Sequence, residues 1–286
     1  MVERQVFTAD DGVRLVADAA GHRDAPLVIL AHGGGQTRHS WSGAFRRLAE
    51  HGYRVVNFDA RGHGESDWSA DHRYPMSRRW ADMETIVNDS RQSSAPVAIV
   101  GASMGGATAL YGVSQEFRPN ALILVDITPN SERAGMQRVR DFMAAGLKGF
   151  ATLDDAADAV AAYNTSRPRP KDISGLKRNL RQHSDGRWYW HWDPGMVEID
   201  IDQERALMAR TFKGLEAAPE LPLLLVRGLK SDVVTDSTVE EFRDRLPSLK
   251  VADVSGAGHM VAGDKNDAFL EAILGFLARH MPAGRP

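Results

Sequence analysis

The sequence predicts an α/β protein: a doubly wound, mostly parallel, eight-stranded sheet carrying a helical cap. Short apolar runs bounded by turn residues recur along its 286 residues, and segments of helical period lie between them. A third observation is one long stretch between two of these runs that shows helical patterns alone.

Leu27–Ala31, Arg54–Phe58, Val97–Val100, Ala121–Val125, Leu223–Val226 and Lys250–Val254 read as strands. Most are nearly unbroken Val, Ile, Leu and Ala, as a parallel strand covered on both faces requires. Val6–Thr8 and Val13–Ala19 alternate instead, which predicts an antiparallel pair at one sheet edge. Ser40–His51, Ser77–Gln92, Met104–Phe117, Ser237–Leu246 and Asp264–His280 read as the intervening helices. From Pro129 to Pro222 no strand is evident; helical patterns run over Leu153–Tyr163, Ile173–His183 and Asp200–Gly214, broken by Pro168, Pro170 and Pro194. The predicted organisation is therefore a core of residues 1–128 and 222–286, with residues 129–221 inserted as a cap over the C-terminal edge of the sheet.

With 43% hydrophobic residues, 26% charged residues and a formal charge of −3, the chain has no general attraction to nucleic acid or anionic membranes. The short basic run from Arg167 to Lys171 reads as a solvated loop. Having no cysteine, the chain makes no disulfide, thiol nucleophile or cysteine-held metal site. The acid-bearing N-terminus lacks an apolar core, and no apolar run approaches the ~20 residues that cross a bilayer. A cytoplasmic protein acting on a small molecule is expected.

The chemistry is carried first by Gly101-Ala-Ser103-Met-Gly105, between a buried strand and a helix rich in small residues. A serine on so sharp a strand-to-helix turn exposes its hydroxyl above the sheet, and larger side chains two positions either side would collide. The helix N-terminus beside it offers free N–H groups to an oxyanion. His32-Gly33-Gly34-Gly35, directly after Leu27–Ala31, lets backbone donors approach the same point. The N–H of Gly34 and that of Met104 form the expected oxyanion pair. His32 reads as a packing or loop-bonding residue. Neither G-x-x-x-x-G-K-[ST] nor G-x-G-x-x-G is present, which argues against a phosphate cradle.

Asp232 follows the strand Leu223–Val226, and His259 follows Lys250–Val254 after a glycine turn. The order Ser, Asp, His with each on a loop after a strand suits a hydroxyl nucleophile, a base and an orienting acid. Asp126, at the end of Ala121–Val125, is the rival acid. Asp232 is favoured because its loop adjoins the histidine strand in chain order.

These residues resemble the α/β-hydrolase superfamily, and the likeness covers almost the whole chain. Asp59-Ala-Arg-Gly62-His63-Gly64-Glu-Ser66 looks like the D-x-R-G-x-G-x-S turn of that family, where Arg61 and Ser66 would staple a loop. The ending Gly-Ala-Gly-His259-Met is similar to its histidine loop. The resemblance implies a cofactor-independent serine hydrolase with a helical cap, and serine at the elbow sets it apart from similar enzymes that use aspartate there.

Specificity would lie in the cap. Trp188, Trp190 and Trp192 either line an apolar acyl site or anchor the cap to the core. Gly35, Arg38 and Trp41, near or just beyond the glycine loop, are further candidates for substrate contact, Arg38 toward a substrate carboxylate. No metal-ligand spacing or nucleotide motif is evident, so neither metal nor cofactor is expected. The reading expected is cleavage of a small carboxylic ester through an acyl-serine. Lactone, carbon–carbon or peroxide chemistry by the same triad, or a ligand receptor on this fold, are the alternatives.

Overall fold

In the computed structural model, which describes residues 1–92, 95–165, 169, 171–259 and 266–283, the apolar runs pair into one sheet. Arg167, Pro168, Pro170, Met260 and the first two residues of the helix predicted from Asp264 lie outside the described residues. The strands are β1 (Glu3–Thr8), β2 (Arg14–Ala20), β3 (Leu27–Ala31), β4 (Arg54–Phe58), β5 (Val97–Ala102) and β6 (Ala121–Val125). After two short strands apart from the sheet, β7 (Leu180–Gln182) and β8 (Trp188–Trp190), come β9 (Leu223–Gly228) and β10 (Lys250–Val254).

The sheet order is β1-β2-β4-β3-β5-β6-β9-β10. The alternating pair β1 and β2 is antiparallel and joins the parallel strands through an antiparallel β2–β4 ladder. Register brings the strand ends level: Ala31 lies opposite Gly101, Ala102 opposite Val125, and Val125 opposite Val226. The loops that follow β3, β5, β6 and β9 therefore open at one edge, the usual place for a ligand in an open parallel sheet.

Strand alternation divides the core between the two faces. Leu27, Ile29, Val97, Ile99, Leu122 and Leu124 face α2 (Met76–Ser90) and α3 (Met104–Ser114). Val28, Leu30, Ala98, Val100 and Ile123 pack with α1 (Ser42–Glu50) on the opposite face. Each leucine or isoleucine so buried contributes roughly 1.5–3 kcal/mol.

The segment between β6 and β9 departs from its predicted pattern in three places. A helix not read from the sequence, α4 (Arg133–Ala145), comes first. Next is α5 (Leu153–Tyr163), with the predicted bounds; Thr152 and Asp155 close its N-terminus by a reciprocal capping box. The helix predicted over Ile173–His183 is instead a short helical turn at Ser174–Arg178 followed by β7. Asp185-Gly186 reverses the chain, with Gly186 at φ 81°, and β8 pairs back antiparallel, so the strand-free reading of this segment is corrected. Strands of three residues are too short to show a period of two.

Finally α6 (Ile201–Glu216), capped by Asp200, buries Met208, Phe212 and Leu215 in the same face of the sheet as α3. Two helices complete the layers: α7 (Asp236–Arg245) on that face and α8 (Asn266–His280) on the other. No helix among the described residues is long and apolar enough to cross a membrane.

Candidate active site

Ser103 occupies the single residue between β5 and α3, at φ 44° and ψ −112°. Such a backbone is costly for a residue with a side chain, and strain of this kind concentrates where geometry serves chemistry. The flanking glycines have a steric reason. A Cβ on Gly101 would lie 2.5 Å from the Gly106 nitrogen, and one on Gly105 would lie 2.4 Å from the Ala31 carbonyl oxygen.

The Ser103 hydroxyl lies 3.1 Å from His259 Nε2, as the order of motifs predicts. The other imidazole nitrogen does not meet Asp232. His259 Nδ1 is 2.7 Å from Asp126 Oδ2, and Asp126 is completely buried. Asp232 is 31% exposed and paired with Arg138 of α4 at 2.8 Å. The reason is sheet order: β6, which ends at Asp126, lies beside β5, whereas β9 lies one strand further out. The β9 loop still takes part, since Gly228 N–H and the Ser231 hydroxyl both donate to the Asp126 carboxylate. The loop expected to supply the acid supplies the acid's hydrogen-bond donors instead.

The glycine loop stands over the serine. A Cβ on Gly33 would come within 3.4 Å of Ser103 Cβ. Gly33 N–H donates to Gln36 Oε1 at 3.1 Å and Gly35 N–H to His63 Nε2 at 3.1 Å, so among the described residues Gly34 keeps the uncommitted donor of the three. Arg61 and Ser66 are staples, as read: Arg61 binds Asp82 and Asp11, and Ser66 links β2 to the Asp59 carbonyl.

Three buried histidines brace the glycine loop and the Asp59–Ser66 turn, the loop-bonding part read for His32 and one that sequence position does not disclose for His63 and His191. His32 Nδ1 donates to the Gly33 carbonyl and its Nε2 accepts from Ala60 N–H. His63 donates from Nδ1 to the Arg61 carbonyl, and His191 Nδ1 accepts from Gly64 N–H. Each ring thus uses one nitrogen as an acceptor, which requires the neutral form. Burial is the main cause holding all three below the ordinary histidine value; His63 lies well below it and His191 at about 4.

A stability prediction follows. Between pH 6.5 and about 4 the unfolded chain takes up a proton at His191 that the folded chain refuses, so stability falls as pH falls through that window. His191 alone accounts for about 3 kcal/mol. The urea midpoint should drop markedly between pH 7 and pH 4.5, and less in His191→Gln; equal drops in the two proteins would refute the assignment.

Two of the predicted substrate contacts turn away. Arg38 and Trp41 lie on a helical turn that folds down onto the sheet. Arg38 is buried and commits its guanidinium to Asp18, Asp59 and Glu65, leaving none of it for a substrate carboxylate. Trp41 is 1% exposed and packs on Phe269 of α8. Proximity in the chain to the glycine loop was a poor guide here.

Two cavities meet at Ser103 and His259. The first, of about 70 Å³, has Gly34 and Gly35 on one wall and Phe142, Tyr163, Trp190 and Trp192 on the other. Phe142 stacks on Tyr163 with ring centres 4.3 Å apart, and burial pushes the Tyr163 hydroxyl up to about 12, keeping it neutral. Trp190 and Trp192 therefore serve both readings, since each lines the cavity and packs against cap and core residues. Trp188 lines neither cavity; its backbone pairs with Phe150 and Gln182. The second cavity, of about 150 Å³, extends from Gly34 and Met104 between α4 and α6.

Comparison with known proteins agrees with this architecture. A family model described as alpha/beta hydrolase fold matches residues 26–265. Over 262 residues the chain is 31% identical to esterase Rv0045c of Mycobacterium tuberculosis, covering 88% of this chain and 83% of that one. It is 26% identical over 271 residues to the sn-1-specific diacylglycerol lipase ABHD11 of Mus musculus, covering 90% and 83%. A solved alpha/beta hydrolase from Novosphingobium aromaticivorans superposes with a TM-score of 0.79 at 25% identity, over 97% of this chain and 98% of the other.

Proposed function

We propose, since this chain belongs to the α/β-hydrolase family, that it is a serine esterase in which Ser103 is the nucleophile, His259 the general base and Asp126 the orienting acid. One observation carries the assignment of roles: the unbroken run of hydrogen-bonding contacts from Asp126 through His259 to Ser103. The carboxylate holds the proton on Nδ1, so Nε2 presents its lone pair to the serine hydroxyl. As the serine oxygen adds to the ester carbonyl, His259 takes its proton and then delivers it to the departing alcohol. The developing oxyanion is met by the N–H groups of Gly34 and Met104, the latter at the positive end of α3. Water activated by the same histidine then releases the acid from the acyl-serine.

The segment between β6 and β9 acts as the cap: α4, α5 and β8 contribute Phe142, Tyr163 and Trp190 to the substrate cavity. The substrate is a small-molecule ester, and the complete lack of cysteine suits a cytoplasmic setting.

Labelling with a fluorophosphonate followed by peptide mapping tests the nucleophile without a guess at the substrate. The label is expected on the peptide containing Ser103, and Ser103→Ala should take up none. A label on another serine, or equal uptake by the variant, would overturn the assignment.

A further inference from the structure

The second cavity at Ser103 differs in chemistry from the aromatic one. Met104, Met136, Met143, Met196 and Met208 line it, half of the ten methionines in the chain. Unbranched, polarizable side chains of this kind fill irregular space and can mould to a flexible aliphatic chain. Four charged side chains share the same lining. Arg79 and Glu204 neutralise each other in an ion pair of 2.7 Å. The other two are arginines that enter no ion pair among the described residues. Half-buried Arg140, on α4, has no hydrogen bond or ion pair among the described residues. Half-buried Arg205, on α6, enters no ion pair there either, and its one hydrogen bond is a long 3.4 Å contact with the Ser131 carbonyl. The cavity thus has an apolar wall, Ser103 on it and two guanidinium groups outside any ion pair. A partly buried cation without a partner is unfavourable, and a carboxylate suits the planar guanidinium donors.

Resting on the esterase reading above, we infer that this cavity selects an acyl chain ending in a carboxylate, so that the preferred substrates are monoesters of aliphatic dicarboxylic acids, with Arg140 and Arg205 holding the distal carboxylate. In the reaction the ester C–O bond breaks and the alcohol leaves with the proton from His259. The acyl–Ser103 ester is then broken by water, whose hydroxyl completes the second acid group and whose other proton returns through His259 to the Ser103 oxygen. The distal carboxylate is unchanged throughout.

The test compares two esters that differ only at the chain end: 4-nitrophenyl hexanoate and mono-4-nitrophenyl adipate. The wild-type chain should show a kcat/KM ratio of adipate to hexanoate of about ten or more, falling as sodium chloride is added. Arg140→Gln and Arg205→Gln should each lower the ratio, chiefly through KM for the adipate, and the double variant should bring it to about one or below. Because the ratio is taken within one preparation, a variant that folds poorly still reports it. A wild-type ratio of one or less, or a ratio that survives in the double variant, would overturn the inference while hexanoate turnover left the esterase reading intact. Failure to hydrolyse either ester, together with no fluorophosphonate uptake, would remove the esterase reading and this inference with it.

Discussion

Replacing Asp126 by asparagine should lower kcat for a nitrophenyl ester about ten-thousand-fold, the size of loss seen when a triad histidine is given the wrong tautomer. The carboxylate is buried and faces donors on both oxygens: Gly228 N–H at Oδ1, and the Ser231 hydroxyl and His259 Nδ1 at Oδ2. An asparagine offers one acceptor oxygen and one NH2, so at least one of these donors must face another donor. If the amide turns its NH2 toward the histidine, the imidazole proton moves to Nε2, and the base is lost. Asp232→Asn breaks only an exposed ion pair with Arg138 and should change kcat by no more than about threefold. Steady-state rates of the two variants, with circular dichroism to establish folding, decide the matter; a severe loss in Asp232→Asn with little in Asp126→Asn would reverse the assignment.

The second large effect is expected at Gly105. Its added methyl would lie 2.4 Å from the carbonyl oxygen of Ala31 and 2.7 Å from the carbonyl carbon, both backbone atoms of β3. Neither can swing aside as a flexible side chain would. Gly105→Ala must therefore push α3 off the sheet, costing about 3 kcal/mol of stability and displacing the Met104 N–H from the elbow. Thermal unfolding and esterase rate should both suffer. Gly175→Ala is the control, because a Cβ there meets nothing within 4 Å. Equal stability of the two variants would show that the elbow tolerates a shift the geometry forbids.

What could be read from the chain alone follows from where the constraint resides. Ser103 and His259 were legible because their constraints are local: a glycine-flanked turn after a buried strand, and a histidine after the last strand. The acid was not, because Asp126 and Asp232 satisfy the same local description. Choosing between them depends on which strand lies against β5, and the chain order β9, β10, His259 points to Asp232, whereas the carboxylate in contact with His259 is that of Asp126. Leu153–Tyr163 was legible through its helical period, whereas the hairpin of β7 and β8 was too short to carry a pattern. Arg38 and Trp41 show the same limit, since a single helical turn carries them from the glycine loop down into the sheet. Arg140 gave no sign in the sequence; its place on the cavity wall, with no ion pair among the described residues, emerges only in space.

The hydrogen bonds that hold Asp126 do more than orient a histidine. Asp126 N–H donates to the Val226 carbonyl at 2.8 Å, and its carboxylate accepts from Gly228, so one residue clasps the C-terminal end of β6 to the C-terminal end of β9. The parallel ladder from Leu122 opposite Leu223 to Val125 opposite Val226 joins the two strands that bound the inserted segment of nearly a hundred residues. Its helix α5 and its hairpin can consequently be exchanged, lengthened or recombined to admit new substrates while α6 stays packed with α3 and the groups below keep their spacing.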